Sequence, residues 1–153
     1  MEACIFCKIS RKEIESAIIW ENDRWILILD KFPIIKGQSL LIPKEHVLTG
    51  IEDLSENYLS ELPFIIKESI KILKKGLNVK KVAVVVEGTG VFHFHVKLYP
   101  LIGWNGEKLL IDNPKIWFDK YEGYLTTRVG FEKSIEELRK IAEEIKNNNK
   151  DIS

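Results

Sequence analysis

The apolar positions of the first hundred residues fall into short blocks separated by turn chemistry. Ala17–Glu21 and Trp25–Lys31 are rich in Ile, Leu and Trp, and Asn22-Asp23-Arg24 lies between them, which predicts a β-hairpin. Gly37 precedes a third strand candidate, Ser39–Pro43. From Ser55 to Leu77 the spacing changes to that of a helix, with Leu59, Leu62, Ile66, Ile70 and Leu73 on one face. Pro63 is expected to kink this helix or to open its second part. Lys81–Glu87 and Val91–Tyr99 read as two further strands around Gly88-Thr89-Gly90. Ser134 followed three residues later by Glu137 is a capping box. It opens a last helix with Ile135, Leu138, Ile141, Ala142 and Ile145 inward, beyond which Asn147–Ser153 is expected to fray. The pattern predicts an α+β domain: an antiparallel sheet with one long helix and a C-terminal helix. Between Leu101 and Gly130 the pattern assigns nothing.

Composition narrows the function classes. The chain has 153 residues, the size of one domain, with 45% hydrophobic and 30% charged side chains, which is ordinary for a globular core. Its 23 basic and 23 acidic residues cancel, so no broad cationic face for nucleic acid or an anionic membrane is expected. The N-terminal residues lack the basic-then-apolar build of a signal peptide, and runs such as Val82–Val86 are too short to span a bilayer. A cytoplasmic location follows as an expectation.

The candidate chemistry lies in three histidines, two cysteines and a lysine. If Val91–Tyr99 is a strand, side-chain alternation puts His93, His95 and Lys97 on one face, with Phe92, Phe94, Val96 and Leu98 in the core. Two imidazoles and an ammonium in a row have no packing value; they read as the solvated polar face of an antiparallel sheet or, the better reading, as a row facing an anionic phosphate. The turn Gly88-Thr89-Gly90 places backbone amides next to that row, where they can point at an anion. Cys4-x-x-Cys7 reads as two small buried thiols or as half of a closed Zn2+ site. In the second case His46 and one of the strand histidines complete the ligands.

Taken in order, Cys4-Ile5-Phe6-Cys7-Lys8-Ile9, Glu21-Asn22-Asp23-Arg24, Asp30 with Pro33, Gly37, Leu40–Val47, Val91–His95 and Pro100 resemble the histidine triad (HIT) family. The resemblance implies a homodimer of α+β subunits that binds a purine nucleotide. It implies residues 1–110 as the HIT-like nucleotide-binding domain, with 111–153 a C-terminal extension whose terminal helix packs on it. By similarity Ile5, Phe6 and Ile9 pack against the base opposite Ile28 and Leu29, and Asp30 receives the ribose hydroxyls. Zinc-bearing members match Cys4, Cys7, His46 and His93 as metal ligands, which leaves His95 at the position of the nucleophile. Amides of Gly88, Thr89 and Gly90, with Lys97, then meet the phosphate.

The sequence departs from the family around that phosphate. Lys97 replaces the third histidine of the usual motif, Gly88-Thr89-Gly90 replaces Gly-Gln-Ser, and Gln38 stands where a histidine is common. The resemblance implies a nucleotide hydrolase or nucleotidyl transferase. It would act at the α-phosphorus of an adenosine phosphoramidate or dinucleoside polyphosphate through a nucleotidyl-histidine. The competing expectation is a nucleotide-binding zinc protein without turnover.

Overall fold

The computed structural model describes residues 4–88, 90–107 and 132–149. In chain order the elements are α1 (Ile5–Ser10), β1 (Ile18–Glu21), β2 (Trp25–Leu29), β3 (Ser39–Pro43), a 3-10 turn (Ile51–Asp53), α2 (Glu56–Leu77), β4 (Val82–Val86), β5 (Val96–Pro100) and α3 (Ile135–Asn147). The five strands form one antiparallel sheet in the order β1-β2-β3-β5-β4. Antiparallel neighbours and flanking helices make this the α+β architecture that the pattern predicts.

The predicted hairpin forms because Asn22 closes its turn. Its Oδ1 accepts the Arg24 and Trp25 amides at 2.9 and 2.7 Å, while its own N–H donates to the Trp25 carbonyl at 3.0 Å. Both faces of the central strands are covered, so β2 and β3 are buried at every position. Trp25, Leu27, Leu29, Leu41, Val96 and Leu98 pack with Leu62 and Leu73 of α2 and with Leu138, Ala142 and Ile145 of α3. On the other face Ile26, Ile28, Leu40 and Ile42 pack with Phe6 and Ile9 of α1.

Helix α1 was not legible in the apolar pattern; six residues are too few for periodicity to show. Helix α2 runs without interruption through Pro63. Its buried line is Tyr58, Leu62, Ser69 and Leu73, while Leu59, expected inside, is 45% exposed. Helix α3 has the expected capping box, with Ser134 Oγ accepting the Glu137 amide and Glu137 accepting the Ser134 amide. It crosses α2 at Gly76, where any Cβ would lie 2.6 Å from the Ile145 Cα. Asn148 and Asn149, expected to fray, instead donate to the carbonyls of Gly76 and Ile72 at 2.6 and 2.8 Å.

The largest departure concerns the histidine segment. β4 and β5 pair from Val82↔Pro100 to Val86↔Val96, so residues 87–95 connect the strands instead of extending them. The Phe94 amide donates to Val47 at 2.9 Å and the His93 amide turns back onto Val91 at 2.8 Å, which takes the segment away from β4. Alternation still holds from Phe94 to Leu98, but Phe92, expected in the core, is 78% exposed. The expected strand Val91–Tyr99 therefore shortens to Val96–Pro100. Residues 108–131, which include most of the unassigned stretch, and Thr89 lie outside the described residues.

Candidate functional site

Four side chains from three separate parts of the chain converge beneath α1. Cys4 and Cys7 come from its start, His46 from the loop after β3, and His93 from the β4–β5 connection. One ligand-type atom from each lies within 4.8 Å of the others. The His93 Nδ1 is 3.3 Å from Cys4 Sγ and 3.5 Å from Cys7 Sγ, and His46 Nδ1 is 3.3 Å from Cys7 Sγ.

The His93 tautomer is set from behind. Its Nε2 lies 2.9 Å from the Pro43 carbonyl, which can only accept, so Nε2 carries the proton and Nδ1 presents a lone pair to the sulfurs. Burial drives the His93 imidazole down to about 4, so it stays neutral at physiological pH. Burial also pushes the Cys7 thiol up, and Cys4 beside it adds to the shift.

The donor set fits a divalent metal of zinc type. Bonds of about 2.3 Å to sulfur and 2.0–2.1 Å to nitrogen in a tetrahedron separate the donors by roughly 3.3–3.8 Å. The three sulfur–imidazole contacts of 3.3–3.5 Å lie in that range, and all four donor atoms lie within 4.8 Å of one another. A carbonyl fixing the outer nitrogen of a ligating histidine is the usual supporting arrangement.

His95 faces elsewhere. It lines a cavity of about 550 Å3 together with Ile5, Phe6 and Ile9 of α1, Ile28 and Leu29 of β2, Asp30, Gly90 and Lys97. Its Nδ1 lies 2.8 Å from the His93 carbonyl and therefore donates the ring proton there, which leaves the lone pair on Nε2. The Phe6 ring meets the His95 ring edge-on at 5.3 Å. Burial lowers the basicity of His95 and the Lys97 ammonium adds to this, against its bond to the His93 carbonyl and the Glu87 and Asp30 carboxylates. The ring therefore stays neutral to lower pH than a free imidazole. Any reaction led by its lone pair should hold its kcat/KM as pH falls through the range where a free imidazole takes up its proton, and lose it only below. A pH–rate profile with an acid limb above the free-imidazole range would contradict this.

Asp30 is held rigidly at the rim. Its Oδ1 accepts the Phe32 amide at 2.9 Å and its Oδ2 accepts the Gln38 side-chain amide at 2.6 Å, while Gln38 Oε1 accepts the Ile34 amide at 2.9 Å. Gln38 is buried, which fixes its hold on the carboxylate. Removing it should expose Asp30 to rotation: Gln38→Ala is expected to weaken binding of any ligand that uses Asp30 by about 5–20-fold, the cost of roughly 1–2 kcal/mol for one charge-assisted hydrogen bond. Titration calorimetry with AMP measures it, and unchanged affinity would remove Asp30 from the site.

Not every expected residue joins the cavity. Gly88 does not line it: at φ +72° it packs against Thr49, whose Cβ would sit 2.7 Å from an added Cβ. Gly90 does line it, with open space where a Cβ would stand. Thr89 lies outside the described residues. Three contributors were not foreseen at the site. Ile135 and Leu138 of α3, expected only as core positions, form part of the cavity wall, and Glu87 holds Lys97 at 2.8 Å. Gln38 was visible only as a departure from the family, and its bond to Asp30 gives that departure a physical role.

The structure thus combines a one-sheet α+β fold with a cysteine–histidine cluster beside a histidine-bearing apolar cavity. The chain belongs to the HIT domain family, whose sequence model matches residues 11–101. Protein hit of Bacillus subtilis is 33% identical over 108 residues, covering 67% of this chain and 73% of that protein. Adenosine 5'-monophosphoramidase HNT1 of Candida albicans is 30% identical over 122 residues, covering 69% of this chain and 80% of that protein. Among solved structures, a hypothetical histidine triad nucleotide-binding protein of Sulfolobus tokodaii superimposes with a TM-score of 0.69 at 28% identity, covering 97% of this chain and 96% of that one.

Proposed function

We propose that this protein is a nucleotide hydrolase or nucleotidyl transferase that acts at the α-phosphorus of an adenosine phosphoramidate or dinucleoside polyphosphate. The observation that carries this reading is His95: a buried neutral imidazole whose Nδ1–H is tied to the His93 carbonyl at 2.8 Å, in the wall of an apolar cavity. A ring so held presents one nitrogen lone pair in a fixed direction, which is what nucleophilic attack on phosphorus requires. The Candida albicans relative, an adenosine 5'-monophosphoramidase, supports the same reaction class.

In this reading the purine lies between Ile5, Phe6 and Ile9 on one side and Ile28 and Leu29 on the other. The Asp30 carboxylate, fixed by Phe32 and Gln38, accepts the ribose hydroxyls. The His95 Nε2 forms a bond to the α-phosphorus and the bond to the leaving group breaks. Its Nδ1–H stays on the His93 carbonyl, so the developing positive charge on the ring is stabilised in place. Gly90 and the Lys97 ammonium, both in the cavity wall, meet the phosphate oxygens. Water or a second acceptor then takes the nucleotidyl group from His95.

Cys4, Cys7, His46 and His93 would hold one Zn2+, whose role is to tie the start of α1 to the two histidine-bearing loops. His93 bridges the two halves of the site: its ring faces the cysteines while its carbonyl holds His95. The same reading includes a homodimer. β4 ends the sheet among the described residues, with Val84 38% exposed. An open strand edge of this kind favours pairing with a second copy. No described helix is long and apolar enough to cross a membrane.

Incubation with adenosine 5′-phosphoramidate or diadenosine triphosphate, followed by chromatography of the products, tests the reaction. The expected result is AMP release from at least one of them at a rate far above the uncatalysed one. AMP binding without product from either would instead leave a nucleotide-binding protein.

A further inference from the structure

The cavity beside His95 extends well beyond the groups that meet a phosphate. Lys97 on β5, Leu40 on β3 and Ile28 on β2 are successive cross-strand partners, so they form a row across the cavity floor. Neighbouring strands lie about 4.8 Å apart, which puts Ile28 roughly 10 Å from Lys97. His95, Gly90 and Lys97 mark the β5 end of this row, and Asp30 follows the end of β2. A nucleotide whose phosphate meets the first group and whose ribose meets Asp30 carries its base away from β5, toward the start of β1.

That far end is walled by a helix. The Leu29 amide donates to the Ala17 carbonyl at 2.9 Å, and both residues pack with Leu138 of α3 in one cluster. Ile135 lies one turn earlier on the same face of α3, and both α3 residues line the cavity. They differ in burial. Leu138 is 4% exposed and belongs to the core, whereas Ile135 is half-buried and keeps apolar surface open at the cavity.

The start of α3 is tied to the cavity rim. The Lys133 amide donates to the Lys31 carbonyl at 3.0 Å, Lys31 pairs with Glu132 at 2.7 Å, and Arg139 pairs with Glu15. The exposed ion pairs contribute little. The backbone bond, however, fixes residue 133 against the chain next to Asp30, and the Ser134 cap then sets the direction in which Ile135 enters the helix. Ile135 is thereby placed relative to the ribose-binding carboxylate. A flat apolar ring lying against it removes its remaining surface from water. Held at the same phosphate and ribose, a two-ring purine reaches farther toward α3 than a one-ring pyrimidine.

We propose that Ile135 is a specificity-determining residue, supplied from beyond the family-matched residues 11–101, that favours purine over pyrimidine nucleotides. This role rests on the nucleotide-binding part of the reading above and needs no chemistry at His95.

Titration calorimetry with AMP and with CMP tests it, as the ratio of the two affinities in the wild type, Ile135→Ala and Ile135→Leu. Misfolded protein lowers the stoichiometry and leaves each Kd, and a purely structural role weakens both nucleotides alike. The wild type is expected to bind AMP at least about tenfold more tightly than CMP. Ile135→Ala should cut that ratio about fivefold, chiefly through weaker AMP binding, while Ile135→Leu keeps it within about twofold. A wild type that binds the two equally, or a ratio unmoved by Ile135→Ala, overturns the role of Ile135 and leaves nucleotide binding standing. A wild type that binds neither removes the nucleotide reading and this role with it.

Discussion

Replacing His95 by alanine is expected to lower kcat/KM for nucleotide hydrolysis by about 10^3-fold or more while leaving the fold and the metal content unchanged. The size follows from the role: without the imidazole the proposed nucleophile is gone, and only binding and charge stabilisation remain. The selectivity follows from the geometry. His95 gives its Nδ1–H to a backbone carbonyl and supplies none of the four clustered ligand atoms. Circular dichroism and metal analysis of His95→Ala should therefore match the wild type, with AMP affinity within a few-fold. If the variant keeps full activity, no covalent histidine lies on the pathway. If it loses its metal, the division of labour between His93 and His95 is wrong.

The second large effect concerns the cysteine–histidine cluster. Freshly purified protein is expected to hold one zinc per chain, and Cys7→Ala is expected to lose it. Because the four ligands join α1 to two distant loops, binding energy at this site is also folding energy. Chelation of the wild type should cost at least ~3 kcal/mol, a drop in Tm of about 6–12 °C for a chain of this size. The chelator should leave the Tm of Cys7→Ala unmoved, which separates metal loss from the smaller cost of deleting a buried thiol. Equal chelator shifts in both proteins, or metal-free wild type at full stability, would return the cysteines to a packing role.

The part of the fold legible in sequence was the part that local pattern controls. The hairpin at Asn22, strand Ser39–Pro43 and the Ser134 capping box are each specified by a few adjacent residues. The histidine segment was not, because its path depends on a contact distant in sequence, the Phe94 amide on the Val47 carbonyl. Strand alternation nevertheless separated His95 and Lys97 from Phe94 and Val96 correctly, since the register is regained at that point. Leu59 failed for a related reason: helical spacing fixes which residues share a stripe, and only the packed sheet decides which edge of the stripe is covered.

For the site, residue types announced the cluster, and the structure brings Cys4, Cys7, His46 and His93 together. The partners that tune it were silent. The carbonyls of Pro43 and His93 fix the tautomers of His93 and His95, and a backbone carbonyl leaves no trace in sequence. Glu87 and Gln38 look like ordinary polar residues until their bonds to Lys97 and Asp30 are seen. The wall that Ile135 and Leu138 add comes from a helix beyond the residues matched to the family, so nothing in the motif points to it.

The most direct test of the central claim is to look for the covalent histidine itself. The protein is mixed with adenosine 5′-phosphoramidate, quenched within the first turnovers in alkaline denaturant, which preserves a phosphorus–nitrogen bond, and its intact mass is measured. A species heavier by one adenylyl group, located by peptide mapping to His95 and missing in His95→Ala, is the expected result. AMP formation at full rate with no adenylylated protein at any quench time, or with the label on another residue, would contradict it.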